Sequence, residues 1–239
     1  MRFTIKLAGI PIAVETVHER CFEQCADYLT DEEPQMLVRT TEDDIAAERK
    51  ESDSEQSSDD YLETLAVYRQ IAEKMVDEGV LLFHGSAISV DGKGYLFTAD
   101  SGTGKSTHTR IWRQELTKLG HDVFMINDDK PLLRFADGAV LACGTPWNGK
   151  HKLSTNTMVP LAGICRLCRG TENRIEAVGA AEAFPWLMQY CFRPRERQHV
   201  TATIVLLDTL SRTVPAYELH CNMEPDAALV SFGGMRRDG

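Results

Sequence analysis

The segment 94–107 constrains the fold of this chain more than any other part of its sequence. Its short apolar run, residues 95–97, is typical of a buried strand, and a glycine-rich stretch with a lysine and a serine follows directly. Residues 99–106 match the P-loop pattern, with alanine where the usual pattern has its first glycine. Because a P-loop joins a strand to a helix, the segment predicts an α/β fold with a helix beginning at about Lys105.

The predicted loop has the chemistry of a polyphosphate site. Gly102 and Gly104 lack a Cβ and can adopt positive φ, so that consecutive backbone N–H groups can face one anion. The helix that follows adds the positive end of its dipole. Lys105 is placed to reach the β- and γ-phosphates, and the Ser106 hydroxyl to bind Mg²⁺. An ordinary turn is the alternative, but it does not explain Gly-x-Gly-Lys-Ser after a clear strand. We therefore expect ATP and Mg²⁺ as cofactors, with the nucleotide held by Ser101, Gly102, Thr103, Gly104, Lys105, Ser106 and Thr107.

A second motif follows the next predicted strand, 123–126. This apolar run leads into Asn127, Asp128 and Asp129. A strand that ends in an acid is where a P-loop enzyme holds its second Mg²⁺ contact. Two adjacent acids allow one carboxylate to face the metal and the other to face an attacking hydroxyl. A polar strand exit before Pro131 is the alternative, and the position after the P-loop helix favours function.

Composition limits the classes of partner. The net charge of −10 and the lack of a basic stripe argue against nucleic acid. No apolar run approaches the roughly 20 residues that span a bilayer, so we expect no membrane contact. The seven cysteines lack framework spacing and no signal peptide is apparent, which favours free thiols in the cytoplasm.

Alternation and turn signals predict the remaining elements. They give a hairpin over 2–14, a short helix at 19–29, a strand at 36–39, a capped helix from 41 to about 50, a helix from 61 to Gly79, strands within 80–90, a hairpin over 132–141, a strand at 160–169, a helix at 180–190, a second helix ending at about 210, a strand at 214–219, a short helix around Ala227 and a frayed tail from 233. The helix after the P-loop is expected to turn Ile111, Leu116 and Leu119 inward.

Several chemically suggestive residues have competing explanations. We expect His108 at the surface rather than at a nucleotide, because the sequence gives it no partner. In the loop 144–152, Trp147 can stack on a base and Lys150 and Lys152 can meet phosphate, or Trp147 can pack over the core, and both explanations stay open. The basic segment 193–197 is a phosphate clamp or a solvated loop, and this choice also stays open.

The cysteine pairs are weak metal candidates. Cys21 and Cys25 are spaced i, i+4 on a helix, but without nearby Cys or His partners we expect two small buried core residues. Cys165 and Cys168 lie three apart in a predicted strand, so their side chains should point to opposite faces. The second pair is therefore expected to be a poor chelator and a poor redox pair.

Four pieces in fixed order resemble the catalytic domain of HPr kinase/phosphorylase and, more distantly, ATP-dependent phosphoenolpyruvate carboxykinase. They are His84-Gly85-Ser86, a pair of strands, the P-loop, and Asp128-Asp129. His84 also keeps the family's spacing of fifteen residues before the P-loop start at Ala99. The resemblance implies a mixed-sheet P-loop kinase fold of that type, within the α/β class. It also implies that Lys105 binds phosphate, that Ser106 and Asp128 bind Mg²⁺, and that Asp129, with His84 beside it, takes the proton of a serine.

The resemblance has gaps, and it defines the expected domains. The family's second metal carboxylate, a Glu, has no match near residues 142–144, and its C-terminal signature and usual N-terminal domain are missing. Residues 51–60 contain no apolar side chain, so we expect an exposed, mobile linker, unprotected in hydrogen exchange, rather than an acidic docking site. The expected division is an N-terminal α+β accessory segment, 1–57, and a P-loop kinase-like domain, 58–239.

The motifs together favour an ATP-dependent phosphotransferase. It would move the γ-phosphoryl group to a hydroxyl, expected to be a serine of a protein or peptide, with a small-molecule acceptor also open. One alternative is a nucleotide-sensing regulator without turnover, in which the missing Glu marks lost chemistry. Another is a phosphorylase or phosphatase that runs the reverse reaction. The Asp128-Asp129 pair and His84 favour the kinase, because a pure binder needs no base; homo-oligomerisation is an open possibility.

Overall fold

The small N-terminal sheet begins the chain in this computed structural model, which describes residues 1–51 and 56–236. It consists of β1 (Arg2–Leu7), β2 (Ile10–Glu15) and β3 (Met36–Arg39). Strands β1 and β2 form the predicted antiparallel hairpin, and β3 pairs with β2 in parallel. The alternation of buried side chains along β1 turns Phe3, Ile5 and Leu7 toward one core, as the sequence pattern predicts.

Three helices follow the hairpin of the small sheet. They are α1 (Arg20–Gln24), α2 (Glu42–Glu51) and α3 (Asp59–Met75), and a 3₁₀ turn, Ala26–Tyr28, follows α1. The predicted cap of α2 is present, since the Thr41 backbone N–H donates to the Asp44 carboxylate at 2.8 Å. Glu51 ends α2, and Asp59 and Asp60 begin α3, so the expected linker over 51–60 is wrong at both ends; residues 52–55 lie outside the described part.

A nine-stranded mixed sheet forms the larger part of the described structure. Its strands are β4 (Val80–Leu82), β5 (Ser86–Val90), β6 (Lys93–Thr98), β7 (Val123–Asn127), β8 (Leu132–Ala136), β9 (Ala139–Cys143), β10 (Met158–Arg169), β11 (Arg174–Val178) and β12 (Ala216–Cys221). The path runs β4-β8-β9-β10-β6-β5-β7, and β12 joins β10 and carries β11. The contacts β6–β10 and β10–β12 are parallel, while the other pairs in this sheet are antiparallel. The mixed α/β architecture is thus confirmed, and the P-loop kinase fold stays a prediction.

Four helices pack on the large sheet: α4 (Lys105–Lys118), α5 (Ala180–Tyr190), α6 (Arg197–Thr213) and α7 (Asp226–Met235). Ile111 and Leu116 of α4 are buried as expected, but Leu119 is 63% exposed because α4 ends before it. Gly233 belongs to α7, so the expected fraying begins too early. No helix in the described ranges has the length and apolar character needed to cross a bilayer.

A shared apolar core ties the small sheet to the large one. Ile5 and Ile71, from β1 and α3, belong to the same buried cluster as Leu132 of β8 and Trp147. Burial of apolar surface is worth about 25 cal/mol per Å², so this contact fixes the N-terminal segment against the loop that follows β9. The division at residues 57 and 58 remains a prediction, and α3 contributes to the core that joins the two parts.

His108 corrects the expected surface position. Its ring is 3% exposed, stacks edge-on against Phe97 at 4.8 Å, and lies 3.2 Å from the Ser231 hydroxyl. Desolvation lowers the pKa of His108 to about 4. The helix α7 that buries it comes from the far end of the chain, which the local pattern of α4 does not encode.

The depressed pKa of His108 predicts a pH-dependent loss of stability. Above pH 6.5 the ring is neutral in both states, and as the pH falls from 6.5 toward 4 only the unfolded chain takes up the proton. We expect about 2 kcal/mol less unfolding free energy from this group at pH 5 than at pH 7.5. Urea unfolding of wild type and His108→Phe at both pH values tests this. The variant should lose less stability on acidification, and an equal loss in both proteins would contradict it.

Candidate active site

The predicted P-loop, residues 99–106, has the backbone that its glycines predict. Strand β6 ends at Thr98, Ala99 is buried, and α4 begins at Lys105. Gly102 has φ 76° and Gly104 has φ 120°. A Cβ at either position would meet no atom within 4 Å, so the backbone angle, and not space, requires glycine there. The loop is therefore shaped to turn backbone N–H groups and the α4 N-terminus toward an anion.

Lys105 lies folded over this loop. Its Nζ donates to the Ala99 carbonyl at 2.9 Å, and the side chain is half-buried. Desolvation lowers the pKa of Lys105, although the negative charges of Asp129 and Asp100 oppose the shift. An anion bound in the loop would restore the stability of the charged form. Ser106 and Thr107 follow in the first turn of α4 and are half-buried, as is Thr103, while Ser101 is exposed.

Two long-range contacts that the sequence does not predict support the loop. The Asp100 carboxylate accepts hydrogen bonds from the Tyr190 hydroxyl and the Gln189 side-chain amide, each at 3.0 Å. On the other side, Arg169 donates to the Gly102 carbonyl at 2.8 Å. These partners come from α5 and the end of β10. No local sequence motif predicts these partners, because only the sheet topology brings them to the loop.

His84 and Asp129 meet as the resemblance implies. The His84 Nε2 lies 3.4 Å from Asp129 Oδ1. The backbone holds the pair together, since the Gly85 N–H donates to the Asp129 carbonyl at 2.9 Å. Burial opposes ionisation of Asp129, but the contact with His84 and the charges of Lys130 and Lys105 outweigh it, so that its pKa lies below the usual range. Asp129 is therefore an ionised carboxylate at neutral pH.

Asp128 is the buried acid of the pair. Its Oδ1 accepts a hydrogen bond from the Gly149 N–H at 2.5 Å, while its Oδ2 is buried without a hydrogen-bond partner. A Cβ on Gly149 would lie 3.2 Å from that Oδ2, so glycine permits the close approach of the loop. A buried carboxylate oxygen without a donor is costly unless something else binds it. Carboxylate and hydroxyl oxygens are ligands that Mg²⁺ prefers, so Asp128 and Ser106 fit this ion.

Asn127 holds the two acids in place. Its Oδ1 accepts from the backbone N–H groups of Asp129 at 2.8 Å and Lys130 at 2.6 Å. Its Nδ2 donates to the carbonyls of Thr145 and Trp147, each at 3.1 Å. One buried amide thus fixes both the exit of β7 and the loop after β9. The sequence analysis treated Asn127 only as part of the strand exit.

Trp147 supports the core and does not face a base. It is 2% exposed, stacks on Tyr68 with ring centroids 4.2 Å apart, and donates from Nε1 to the Thr64 carbonyl at 2.7 Å. Of the two explanations for this loop, packing is therefore correct for Trp147. Lys150 and Lys152 are exposed, and Lys152 has φ 52°.

The segment 193–197 is held in place at Arg195 and Glu196, so these two residues are not part of a free loop. The backbone N–H groups of Arg195 and Glu196 donate to the Glu73 carboxylate at 2.9 and 3.0 Å, and the Arg195 side chain pairs with Glu51. These contacts dock the start of α6 on α3 and the end of α2. The phosphate-clamp explanation gains no support from this position.

The predicted burial of Cys21 and Cys25 is confirmed, while the expectation that Cys165 and Cys168 are a poor chelator and a poor redox pair stays a prediction. Cys21 and Cys25 are fully buried in the N-terminal core. Cys165 is fully buried as well, whereas Cys168 is half-buried and lies near Glu218 and His220 on the other face. The donor atoms of Cys168, Glu218 and His220 lie within 4.8 Å of one another. However, Glu218 already pairs with Arg166. We therefore assign this group to an ion-pair network along β10 and β12.

Comparison with known proteins finds similarity to solved structures but not to family models or curated proteins. No family model matches the chain, and no curated protein matches it either. Among solved structures, the HPr(Ser) kinase/phosphatase from Coxiella burnetii is similar, with a TM-score of 0.38 and 13% sequence identity over 66% of this chain and 99% of that one. The relationship is distant, and the functional proposal rests on the residues of the site itself.

Proposed function

We propose that this protein is an ATP-dependent phosphotransferase that moves the γ-phosphoryl group to a serine hydroxyl of a protein or peptide. One observation carries the proposal: an ionised Asp129 lies against His84 while sharing an electrostatic interaction with Lys105 of the P-loop. A protein that only binds nucleotide needs the loop but has no use for a carboxylate held at its edge. The sequence resemblance to HPr kinase supports the same assignment.

Each residue then has a distinct part in the transfer. The P-loop backbone and Lys105 would bind the β- and γ-phosphates, and Asp128 with Ser106 would hold Mg²⁺, which neutralises charge on the phosphate oxygens. Asp129 would accept a hydrogen bond from the serine hydroxyl, orient it and take its proton as the new P–O bond forms. His84 touches Asp129 and keeps its carboxylate in position. Catalysis is then mostly positioning and charge neutralisation.

The low pKa of Asp129 predicts how the activity depends on pH. Because the pKa lies below the usual range for aspartate, the base stays ionised through neutral pH. Activity should fall only when the solution becomes acidic enough to protonate it. A low pKa also makes the carboxylate a weak base, which fits a loose transition state in which the serine proton leaves late.

The proposal is tested by following labelled γ-phosphate from ATP. The acceptors are serine-bearing peptides, with slow hydrolysis to water as the second product to be measured. The proposal requires transfer or hydrolysis that depends on Mg²⁺ and on Asp129. Tight binding of Mg-ATP with neither product, across a broad acceptor panel, would instead support the nucleotide-sensing regulator.

Replacing His84 with alanine should give an intermediate defect. The ring touches Asp129 and no phosphate contact is assigned to it, so kcat should fall by less than the roughly 10²–10⁴-fold expected for losing a general base. Steady-state transfer assays measure the change.

His121→Ala is the matched control for His84→Ala. His121 also contacts a carboxylate, Asp91, at 2.7 Å, but the pair lies at the β5–β6 turn and the end of α4, away from the site. Wild-type activity in both variants would remove His84 from the proposed mechanism.

A further inference from the structure

A cavity of about 1080 Å³ opens beside Asp129 on the N-terminal side of the protein. One wall comes from α1 and the first turns of α3, and includes Glu19 and Glu23. The other wall comes from the exit of β7 and the loop after β9, and includes Lys130, Lys150 and Lys152. The cavity thus lies between the N-terminal segment and the candidate base, with walls of opposite charge.

Asp129 belongs to both this cavity and the nucleotide site. Its carboxylate lines the cavity and also interacts with Lys105 of the P-loop. Among the described residues, the P-loop contributes nothing to the cavity lining. A nucleotide held in the loop would therefore leave the cavity free. The second substrate, whose hydroxyl must reach the same carboxylate, would occupy it.

The cavity walls are fixed to one another before any substrate arrives. The Gln24 side-chain amide donates to the Pro146 carbonyl at 3.1 Å and so joins α1 to the opposite loop. The buried Glu63 carboxylate accepts from the Val17 and His18 backbone N–H groups at 2.6 and 2.8 Å, which fixes the entry to α1. Pre-formed sites avoid the entropic cost of ordering on binding. This rigidity is typical of a binding site rather than of a loose surface groove.

Charge identifies the chemistry of the occupant. Lys150 and Lys152 are exposed and have no acidic partner among residues 1–51 and 56–236. On the facing wall, Arg20 is already paired with Asp60 at 3.3 Å, whereas Glu19 and Glu23 carry no such partner. The two unpaired lysines line the same cavity as the base and favour an acidic group on their side of the occupant, while Glu19 and Glu23 favour a basic group on the facing side.

The volume of the cavity indicates how large an acidic acceptor it can hold. Sites for small molecules usually measure about 300–1,000 Å³, so a cavity of this volume exceeds the needs of a single amino acid. We propose that it is the acceptor site and takes an extended serine-bearing peptide with an acidic side chain next to its serine, the carboxylate facing Lys150 and Lys152. This inference rests on the proposed phosphotransferase function and adds the substrate to it.

The step in this site is balanced. The serine oxygen forms a bond to the γ-phosphorus while the bond from that phosphorus to the β–γ bridging oxygen breaks. ADP leaves with the electron pair of the broken bond, and the serine proton goes to Asp129.

Three serine-centred peptide libraries test the proposal with labelled ATP. One fixes Asp or Glu beside the serine, one fixes Lys or Arg, and one fixes uncharged residues. The acidic library should be phosphorylated best, and Lys150→Ala should raise its KM roughly fivefold with little change in kcat. Lys152→Asn should act likewise, and asparagine is chosen because it tolerates the positive φ at that position. Lys93→Ala, at the exposed β5–β6 turn, is the control and should behave as wild type.

The outcomes separate this inference from the function on which it rests. Hydrolysis of ATP to water that depends on Asp129 would uphold the phosphoryl chemistry even if no peptide is phosphorylated, and the acceptor proposal alone would then fail. It would also fail if free serine is a better acceptor than the acidic library, or if Lys150→Ala raises the KM for ATP instead of that for the peptide. In the last case the lysines bind the nucleotide.

Discussion

Asp129→Asn is expected to bind Mg-ATP like wild type and to transfer phosphate about 10²–10⁴ times more slowly. The amide nearly matches the carboxylate in shape, and it leaves the P-loop untouched. It cannot accept the proton of the attacking hydroxyl. Single-turnover transfer of labelled γ-phosphate measures the rate, and isothermal titration measures the affinity.

Asp128→Asn gives a second test of the roles assigned to the two acids. Asp128 has a buried Oδ2 without a donor, so this variant should shift the Mg²⁺ dependence of the reaction. If Asp129→Asn turns over like wild type, the assignment of the two acids is wrong. The base should then be sought in the loop 144–152.

Lys105→Ala is expected to abolish binding of Mg-ATP. Lys105 is the cation within the predicted phosphate cradle, and its side chain is half-buried, which lowers its pKa by desolvation. The side chain makes one hydrogen bond, to Ala99, so its loss should cost little folding stability. Isothermal titration of wild type and variant with Mg-ATP gives the comparison.

The control for Lys105→Ala is Lys118→Ala. Lys118 lies on the same helix, is exposed, and pairs with Glu115 at 2.6 Å in the last turns of α4. The Lys118→Ala substitution removes the same charge from the protein as Lys105→Ala, but it leaves the loop unchanged. Equal affinities of wild type and Lys105→Ala for Mg-ATP would contradict the P-loop assignment, and the kinase proposal would fail with it.

Short-range signals account for the parts of the fold that the sequence predicts well. An Asp-Gly pair is typical of a tight hairpin turn, and Asp91 and Gly92 both have positive φ. The capping pattern at Thr41 is followed by α2. The strand–loop–helix of the P-loop is equally local. Each of these depends on side chains within a few residues of one another, so pattern and structure agree.

Tertiary contacts explain the errors. His108 seemed partnerless, but Ser231 and Phe97 enclose it, and only the folded sheet brings α7 against α4. The acidic stretch 51–60 appeared unable to pack, yet Glu51 completes α2 by pairing with Arg195 and Arg69. Strand β11 was not predicted at all, since it is mostly exposed and lacks a clear alternation.

The candidate site also has parts that the sequence predicts and parts that it does not. The sequence predicts its chemical residues, and His84 lies beside Asp129 as the resemblance implies. It does not predict their supports: Asn127 between two loops, Gly149 against Asp128, or Arg169 at the P-loop carbonyl. Supports of this kind depend on which strands are neighbours. The roles of the site residues themselves remain predictions until the variants are measured.

The pairing of β10 has a consequence for the order in which the chain can fold. Two of its neighbours, β6 and β12, are far from it in sequence, and β12 is synthesised after it. Contacts of such long sequence separation close large loops, which slows folding. Strand β10 therefore lacks its second parallel neighbour until synthesis has passed Cys221. A nascent chain stopped before β12 would carry an unpaired edge on β10, a template for association with other chains.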